Sequence, residues 1–223
     1  MKEIQIQKNV LSKNDEIAAG LRRVFAEKSL LVLNVLSSPG SGKTTLLEKT
    51  ARALGSSLRI AAIEGDLRTD RDAERIRKAG VKAIQINTGR GCHLDANMIA
   101  GVLPQLDLDN LDVLFIENVG NLVCPAAFDL GEDAAVLLVS VAEGDDKPAK
   151  YPTAFLKADL LVLNKIDLQP YTNFCTQRFR EDVAKVKPSI TTLVMSATKE
   201  MGLEPWFQWI QSKVAQKKQS STR

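Results

Sequence analysis

Seven apolar runs rich in Val, Ile and Leu alternate with amphipathic stretches along most of the chain. Most of these runs are apolar at every position, which is typical of strands in a parallel sheet with both faces covered. The stretches between them have helical spacing, so the pattern predicts a single α/β domain with a mostly parallel, doubly wound sheet. The predicted strands are residues 30–36, 58–64, 82–87, 113–117, 134–141, 160–164 and 191–195.

Helical spacing also marks both ends of this domain. Residues 12–16 have the character of a helix start, and the apolar residues that follow recur every three or four positions. A last helix at about 203–214 places Trp206, Phe207 and Ile210 on one face, where packing is the simplest role. We therefore expect an N-terminal helical extension over 1–29, the main domain over 30–215 and a polar, flexible tail over 216–223.

Composition narrows the classes of function. The 223 residues are 44% hydrophobic and 26% charged, with a net charge of +3 from 30 basic and 27 acidic residues. There is no long basic block, no segment of the ~18 apolar residues that a membrane span needs, and no signal-peptide pattern in residues 1–16. Three scattered cysteines are too few for a disulfide framework. We expect a cytoplasmic protein without nucleic-acid or membrane partners.

A glycine-rich loop after the first predicted strand is the strongest chemical signal. A strand, this loop, Gly-Lys-Thr and then a helix form the context expected of a phosphate-binding loop (P-loop). Its backbone N–H groups would cradle phosphate oxygens, Lys43 would reach the β- and γ-phosphates, and the Thr44 hydroxyl would ligate magnesium. Ser37 replaces the first glycine of the usual pattern, and a chance Gly-Ser-rich turn is the alternative. The predicted phosphate contacts are Pro39, Gly40, Ser41, Gly42, Lys43, Thr44 and Thr45.

A second motif predicts which base is bound. Asn164, Lys165 and Asp167 form the pattern N-K-x-D at a strand end, about 120 residues after the P-loop. Asp167 can accept hydrogen bonds from guanine N1–H and the exocyclic amine, whereas adenine has no such donor pair, so GTP and GDP are the expected nucleotides. Asn164 and Lys165 would brace the base and the P-loop. Ser196 and Ala197 resemble the last guanine-contacting loop of GTPases, although Ser-Ala-Thr is also an ordinary turn.

Acidic residues at two further strand ends are candidates for the magnesium site. Glu117 ends the fourth predicted strand, where P-loop proteins place a magnesium carboxylate, and Gly120 stands where a backbone N–H would meet the γ-phosphate. Asn121 occupies the position of the water-orienting Gln in Ras-like enzymes, so we expect slow hydrolysis by the isolated monomer. Asp66 and Asp70 are candidates for the magnesium site and a mobile switch loop. The alternative is a solvated helix cap, formed by Thr69 or Asp70.

A cysteine beside the single histidine suggests a second metal. Cys92 and His93 follow one strand, Cys124 follows another, and loops at the carboxyl ends of strands share one sheet edge. We expect a lowered pKa for a thiol near a helix N-terminus and an extended or turning backbone at Cys124, because Pro125 disfavours helical geometry there. Two sulfurs and one imidazole suit nickel or zinc. A buried thiol beside an imidazole is the alternative, and Cys175 is expected only to pack in a helix.

Together these motifs resemble the HypB family of hydrogenase maturation factors, which are nickel-incorporation GTPases. The matching segments run in order over almost the whole domain: 37–45, 64–71, 91–95, 117–125, 143–148 with 151–152, and 164–167. The resemblance implies a SIMIBI-type P-loop GTPase that dimerises on binding GTP and helps deliver nickel to a [NiFe]-hydrogenase precursor. Its partners would be a small nickel-binding maturation protein and the hydrogenase large-subunit precursor.

The resemblance also implies roles for particular residues. The family's metal ligands would be Cys92, His93 and Cys124, and Lys147 falls in a segment near the nucleotide and the dimer contact, although an exposed lysine in an acidic loop needs no special role. The catalytic group would be Lys43, Asp66, Glu117 and Gly120, with Thr44, Asp66 and Glu117 on magnesium.

One departure from some family members concerns metal capacity. Residues 1–27 contain no Cys and no His, so we expect no nickel storage and at most about one metal ion per chain. Two alternatives stay open. One is an accessory GTPase for urease, which would be expected to show Cys-Pro-His, or for a cobalamin-dependent enzyme, which would not need metal ligands. The other is a GTP-dependent protein-binding switch whose cysteines are structural.

Overall fold

The computed structural model describes residues 2–66, 71–89 and 91–220, with side chains described from residue 11 onward. Seven parallel strands form one sheet in the order β3-β2-β4-β1-β5-β6-β7. They are β1 Leu31–Ser37, β2 Ile60–Asp66, β3 Lys82–Asn87, β4 Val113–Glu117, β5 Ala134–Ser140, β6 Leu160–Asn164 and β7 Thr191–Val194. This confirms the predicted parallel α/β fold, and each predicted strand is present with ends shifted by two residues or fewer.

Eight α-helices connect and cover these strands within the described residues. They are α1 Lys2–Glu27, α2 Lys43–Leu54, α3 Arg71–Lys78, α4 Ala96–Val102, α5 Lys147–Lys150, α6 Pro152–Lys157, α7 Thr176–Val186 and α8 Glu204–Ser220. Short 3₁₀ turns lie between several of them, including Pro125–Ala127, Val141–Glu143 and Ile166–Tyr171. None of the helices in the described ranges has both the length and the apolar character needed to cross a membrane.

Helices cover both faces of the sheet, which explains the continuous apolar strands. On one face α2, α3 and α8 pack over residues such as Leu33 and Phe115. Trp206 of α8 is fully buried there, and its indole N–H donates to the Thr50 hydroxyl at 2.8 Å. The opposite face is covered by α1 and α4 over one half of the sheet and by α6 and α7 over the other. Burying both faces leaves the loops at the carboxyl ends of the strands to form the site.

Two predicted helix ends were wrong. Helix α1 begins at Lys2 instead of near residue 12, and its Ala18, Leu21 and Phe25 are buried against the domain. Helix α8 continues to Ser220, so residues 216–220 of the predicted flexible tail are helical. Ion pairs of Lys217 and Lys218, with Asp133 and Asp112 respectively, hold this last turn against the strand ends. Residues 221–223 lie outside the described part of the chain.

Candidate nucleotide site and metal centre

The backbone of the P-loop depends on two glycines. Gly40 and Gly42 have φ angles of 75° and 103°, in the left-handed region that favours glycine. A Cβ atom at Gly42 would also lie 2.6 Å from Asn164 Nδ2, so this position excludes a side chain for a second reason. Helix α2 begins at Lys43, directly after Gly42, and its first N–H groups therefore face the loop.

Ser37 at the first-glycine position has a structural function of its own. Its hydroxyl donates to the Ser38 carbonyl at 2.6 Å and accepts from Lys43 Nζ at 2.9 Å. Lys43 is 8% exposed, and its Nζ lies 4.0 Å from Glu117 Oε1. The departure from the usual motif therefore keeps the lysine in place across the loop rather than disrupting the turn.

Two of the predicted magnesium ligands are in contact. Thr44 Oγ1 donates to Glu117 Oε1 at 2.9 Å, because β1 and β4 are neighbours in the sheet. The other carboxylate oxygen, Glu117 Oε2, is buried without a hydrogen-bond partner. An unsatisfied buried carboxylate oxygen beside a hydroxyl is a donor set that fits a magnesium ion. Asp66, the third predicted ligand, ends β2 and lines the same cavity.

A second buried acid, Glu64, lies beside Glu117 and was not singled out from the sequence. The two residues are direct neighbours on β2 and β4. Burial raises the pKa of the Glu64 carboxyl well above its usual value, and the charge of Glu117 raises it further. Burial also raises the pKa of Glu117, although the charge of Lys43 opposes this. Only the strand order reveals the pair, since nothing local in the sequence distinguishes Glu64 from a surface acid.

A cavity of about 490 Å³ opens at this edge of the sheet. A cleft of this size is in the range of small-ligand sites. Most of the predicted nucleotide and magnesium residues line it: Pro39, Gly40, Gly42, Lys43, Thr44, Thr45, Asp66, Glu117, Gly120, Asn164 and Lys165. Four predicted contacts, namely Ser41, Asp167, Ser196 and Ala197, do not line it. Ser41 is buried and donates to the Ser38 carbonyl and to Glu143 Oε1, at 2.8 Å and 2.7 Å.

Asn164 and Lys165 both contact the P-loop. Asn164 Nδ2 donates to the Ser41 carbonyl at 2.9 Å, and Lys165 Nζ donates to the Gly40 carbonyl at 2.6 Å. Asn164 Oδ1 also accepts from the Ala197 N–H at 3.0 Å. This single asparagine therefore joins the P-loop to the loop after β7.

Asp167 does not line the cavity, so its predicted contact with the base stays a prediction. It lies in the 3₁₀ turn that follows β6, and its Oδ1 is buried without a hydrogen-bond partner. Ser196 and Ala197 are buried, whereas Thr198 lines the cavity in their stead. The predicted base contacts of this Ser-Ala-Thr loop stay predictions.

Other cavity residues were also missed from the sequence: Gly65, Asp72, Arg75, Asn118 and Val119. Arg75 of α3 donates to Thr45 Oγ1 at 3.1 Å and to Glu48 Oε2 at 3.0 Å, which brings a positive charge to the cavity. Among the many charged residues of α3, no local signal distinguishes it. Asp70, a candidate for the switch loop, lies outside the described residues.

The three predicted metal ligands come together. One ligand atom from each of Cys92, His93 and Cys124 lies within 4.8 Å of the others, and all three residues are half-buried. Cys92 Sγ is 3.7 Å from His93 Nδ1. Two sulfurs and an imidazole nitrogen at this separation fit one nickel or zinc ion, and three ligands leave a coordination position open.

The surroundings of the ligand cluster differ from two expectations. The pKa of the Cys92 thiol is raised, not lowered, because it shares a hydrogen bond with Cys124 and is partly buried. Helix α4 begins only at Ala96, so Cys92 is not at its first turn. Cys124 has right-handed helical angles, φ −64° and ψ −48°, and Pro125 opens the 3₁₀ turn that follows. Cys124 therefore adopts the helical angles that Pro125 was expected to disfavour, although the segment is a turning loop, as predicted.

His93 is held by an aromatic neighbour. Its ring stacks on Phe128 with centroids 3.8 Å apart and an interplanar angle of 22°. Burial lowers the pKa of the imidazole, which favours the neutral form that binds metals. Phe128 follows the turn at Pro125–Ala127, so the segment that carries Cys124 also orients His93.

Two residues outside the clusters differ from expectation. Cys175 immediately precedes α7 instead of packing within it, and its N–H donates to Asp145 Oδ2 at 2.8 Å. Lys147 is not an exposed lysine, since its side chain is only 17% exposed. It lies 3.8 Å from Glu143 Oε2 and over the ring of Tyr151.

Comparison with known proteins identifies a matching family and similar sequences. The family described as "CobW/HypB/UreG, nucleotide-binding domain" matches residues 31–194. "Hydrogenase maturation factor HypB" of Escherichia coli K12 is 51% identical over 209 residues, which cover 94% of this chain and 72% of that protein. "Hydrogenase/urease maturation factor HypB" of Helicobacter pylori 26695 is 43% identical over 224 residues, covering 99% and 92%.

Solved structures agree with the fold. The structure of HypB from Helicobacter pylori in complex with nickel superposes with a TM-score of 0.87 at 44% identity, covering 92% of this chain and 96% of that one. That of hydrogenase maturation factor HypB from Archaeoglobus fulgidus gives a TM-score of 0.86 at 38% identity, covering 92% and 100%.

Proposed function

The chain belongs to the HypB hydrogenase maturation factors of the CobW/HypB/UreG nucleotide-binding family, and from this premise we propose a metal-regulated GTPase that delivers nickel to a [NiFe]-hydrogenase precursor. One observation carries the proposal. The nucleotide cavity and the Cys92, His93 and Cys124 cluster lie at the same edge of the sheet, and residues 117–124 run from one to the other. A chain with both sites can link nucleotide state to metal binding.

GTP and GDP are the nucleotides of this proposal. Lys43 contacts the β- and γ-phosphates, and the Asp167 carboxylate accepts the guanine N–H groups. Thr44 and Glu117 would hold magnesium, with Asp66 on the same side of the cavity, and the ion would supply positive charge to balance the phosphates. The orphaned Glu117 Oε2 and Asp167 Oδ1 support these roles, since each is a buried acceptor without a protein partner.

Hydrolysis is proposed to be slow in the monomer. Asn121 donates to the Cys92 carbonyl at 3.3 Å and is not among the residues that line the cavity, so it does not orient the attacking water. A turnover near the ~10 per second of an activated GTPase, measured at a dilution where the protein is monomeric, would refute this.

Nickel is the proposed cargo, with zinc as a second metal that the same ligands accept. We propose a two-fold dimer that forms on binding GTP, because three ligands per chain leave the site open and a second copy can complete or cover it. The partners would be a small nickel-binding maturation protein that supplies the metal and the hydrogenase large-subunit precursor that receives it.

The proposed switch follows from the segment 117–124. Binding of GTP with magnesium orders Glu117 to Gly120, which displaces Cys124 and alters the metal site or the dimer contact. Hydrolysis reverses the change. Because such coupling is reciprocal, the metal must change the affinity for nucleotide by the same factor as the nucleotide changes the affinity for metal.

Metal titration tests the proposal. Nickel and zinc binding to the reduced protein would be measured with and without a non-hydrolysable GTP analogue. The double variant Cys92→Ala/Cys124→Ala should lose binding, whereas Cys175→Ala, which removes the third half-buried cysteine, should not. Two results would contradict the metal role: a wild type that binds neither metal, or a double variant that binds metal as the wild type does. Either would leave a GTP-dependent protein-binding switch.

Urease is a second candidate client. The relative of Helicobacter pylori, 43% identical to this chain, has a name that includes both hydrogenase and urease maturation. Nickel transfer to each apo-enzyme, followed as its activation, distinguishes the clients. A maturation factor for a cobalamin-dependent enzyme would not be expected to need the cysteine ligands.

A further inference from the structure

Two asparagines after β4 contact the backbone of the loop that carries Cys92 and His93. Asn121 Nδ2 donates to the Cys92 carbonyl at 3.3 Å. Asn118 Oδ1 accepts from the N–H of Leu94, the residue after His93, at 3.1 Å. The two peptide groups that flank His93 are therefore held by side chains from the segment after β4, whose first residues line the nucleotide cavity.

Asn118 is firmly anchored. It is 1% exposed, its backbone N–H donates to the Val35 carbonyl at 3.1 Å, and its Nδ2 donates to Asn34 Oδ1 at 3.3 Å. Both partners belong to β1, the strand that leads into the P-loop. A buried amide with these partners transmits a displacement of the strand end instead of absorbing it.

Asn121 reaches both halves of the ligand set. Besides its contact with Cys92, its Oδ1 accepts from the Val123 N–H at 2.9 Å and so shapes the turn directly before Cys124. A turn alone needs only the oxygen of the side chain. The amide nitrogen is engaged separately, on the carbonyl of the other cysteine ligand.

The segment between the two asparagines contacts the P-loop closely. Gly120 packs so tightly that a Cβ atom there would lie 2.9 Å from Pro39 Cα. Asn118, Val119 and Gly120 line the nucleotide cavity. A shift of this segment when the γ-phosphate binds must therefore change the contacts with Cys92 and Leu94 as well as the path to Cys124.

We propose that Asn118 and Asn121 are positioning residues that couple the nucleotide state to the metal site, by moving the Cys92–His93 loop together with Cys124. This inference rests on the proposed function and adds to it a second connection, made by hydrogen bonds between two loops. Without that connection, nucleotide binding would displace Cys124 alone.

The test removes the contact with Cys92 and keeps the turn. In Asn121→Asp the carboxylate still accepts from Val123 but has no donor for Cys92. In Asn121→Ser the hydroxyl keeps an acceptor for the turn without adding a charge, and the shorter side chain withdraws the donor from Cys92. Asn97→Ala is the matched control, because Asn97 is exposed and close in sequence to His93. Nickel affinity would be measured by chelator competition with and without a non-hydrolysable GTP analogue, and affinity for that analogue with and without nickel.

The expected result is a loss of coupling with both sites intact. In allosteric proteins one ligand typically changes the affinity for another by about 5- to 150-fold. In both Asn121 variants, the analogue should change nickel affinity by less than about twofold, and nickel should change the affinity for the analogue by less than about twofold. Nickel–thiolate absorption and affinity for the analogue alone should stay at wild-type levels, and Asn97→Ala should keep full coupling.

Each other outcome overturns the inference. Variants with wild-type coupling show that Cys124 alone carries the signal. Variants that no longer bind nickel or nucleotide show that Asn121 only stabilises the loop. A wild type without coupling refutes the inference and the proposed switch together, whereas failure of the metal site itself is detected separately by the Cys92→Ala/Cys124→Ala variant.

Discussion

In the proposed function, recognition of guanine would be concentrated in one carboxylate. Asp167 follows β6, and its buried Oδ1 has no hydrogen-bond partner in the protein. A carboxylate can accept from two N–H groups at once, and hydrogen bonds to a charged group are worth about 1.5–3 kcal/mol each. If Asp167 contacts the base as proposed, discrimination between bases would depend on the chemistry of this side chain more than on the shape of the cavity.

Asp167→Asn should change the preferred base from guanine to xanthine. The new amide nitrogen would face the guanine exocyclic amine, donor against donor, and GTP affinity should fall by about two orders of magnitude. Xanthine has an oxygen in place of that amine, so binding of xanthosine triphosphate should improve. Equilibrium binding of fluorescent analogues measures both. Unchanged affinity for GTP would show that Asp167 does not contact the base.

Gly120→Ala should weaken nucleotide binding. The new Cβ would lie 2.9 Å from Pro39 Cα, so one of the two loops must shift at a cost of about 1–3 kcal/mol. Gly20→Ala is the control, because Gly20 lies inside α1 with nothing within 4 Å of a Cβ, and alanine there should stabilise the helix by about 1 kcal/mol. Urea unfolding and GTP titration of both variants test this. If Gly120→Ala unfolds at the same urea concentration as the wild type and binds GTP with the same affinity, the predicted steric clash with Pro39 is absent.

At the scale of elements, helix α1 joins the two segments that carry the metal ligands. Asn14 is buried, its Nδ2 donates to the Asp129 carbonyl at 2.8 Å, and its Oδ1 accepts from the Ala96 N–H at 2.9 Å. Asp129 follows Phe128, and Ala96 opens α4 just after His93. The helix therefore contributes to the order of the metal centre without supplying a ligand.

Asn14→Ala should destabilise the fold by about 1–3 kcal/mol, because it leaves a buried carbonyl and a buried N–H without partners. Urea unfolding measures the loss, and nickel affinity should fall as well. Glu16→Ala changes an exposed residue of the same helix and should have an effect within about 0.5 kcal/mol of zero. Equal effects of the two substitutions would show that the contacts of Asn14 do not matter.

A charged cluster fastens α8 to the start of β4. Asp112 accepts from Arg59 Nη2 at 3.0 Å and lies 2.7 Å from Lys218 Nζ, and these groups hold the pKa of its carboxyl well below the usual range. A depressed folded-state pKa adds stability at pH values above the unfolded pKa of about 4. That stability is lost as pH falls through the folded pKa.

Asp112→Asn should therefore cost about 1–2 kcal/mol at pH 7, since solvent screens the half-exposed Arg59, and the difference from the wild type should shrink below about pH 4. Urea unfolding at several pH values measures this. The control is Asp109→Asn, in an exposed ion pair with Lys28, which should leave stability close to that of the wild type because solvent screens the pair. A pH-independent difference would argue against the ionic origin of the effect.

At the scale of the whole molecule, the metal capacity should be small. Within the described residues, Cys92, His93 and Cys124 are the one group of three or more His, Cys, Asp or Glu side chains whose ligand atoms all lie within 4.8 Å of one another. Titration with nickel should saturate at about one ion per chain or fewer, and Cys92→Ala should abolish it. Several ions bound at comparable affinity would contradict this prediction.

Local sequence determined much of the fold and part of the site. The seven strands could be predicted because helices cover both sheet faces and leave continuous apolar runs. The P-loop, the N-K-x-D pattern and the adjacent Cys92 and His93 could be identified because each is a contiguous motif whose chemistry depends on neighbouring residues. The end of α8 could not be predicted, since ion pairs with the distant Asp133 and Asp112 hold its last turn.

The tertiary structure alone decided which distant residues meet. Placing β1 between β4 and β5 brings Thr44 to Glu117, and placing β2 beside β4 brings Glu64 to Glu117. The contacts of Asn118 and Asn121 with the Cys92 loop depend in the same way on strand order and loop conformation. The sequence determined which chemical groups are present at each strand end, whereas strand order and register determined their partners, because hydrogen bonds act over about 3 Å and not along the chain.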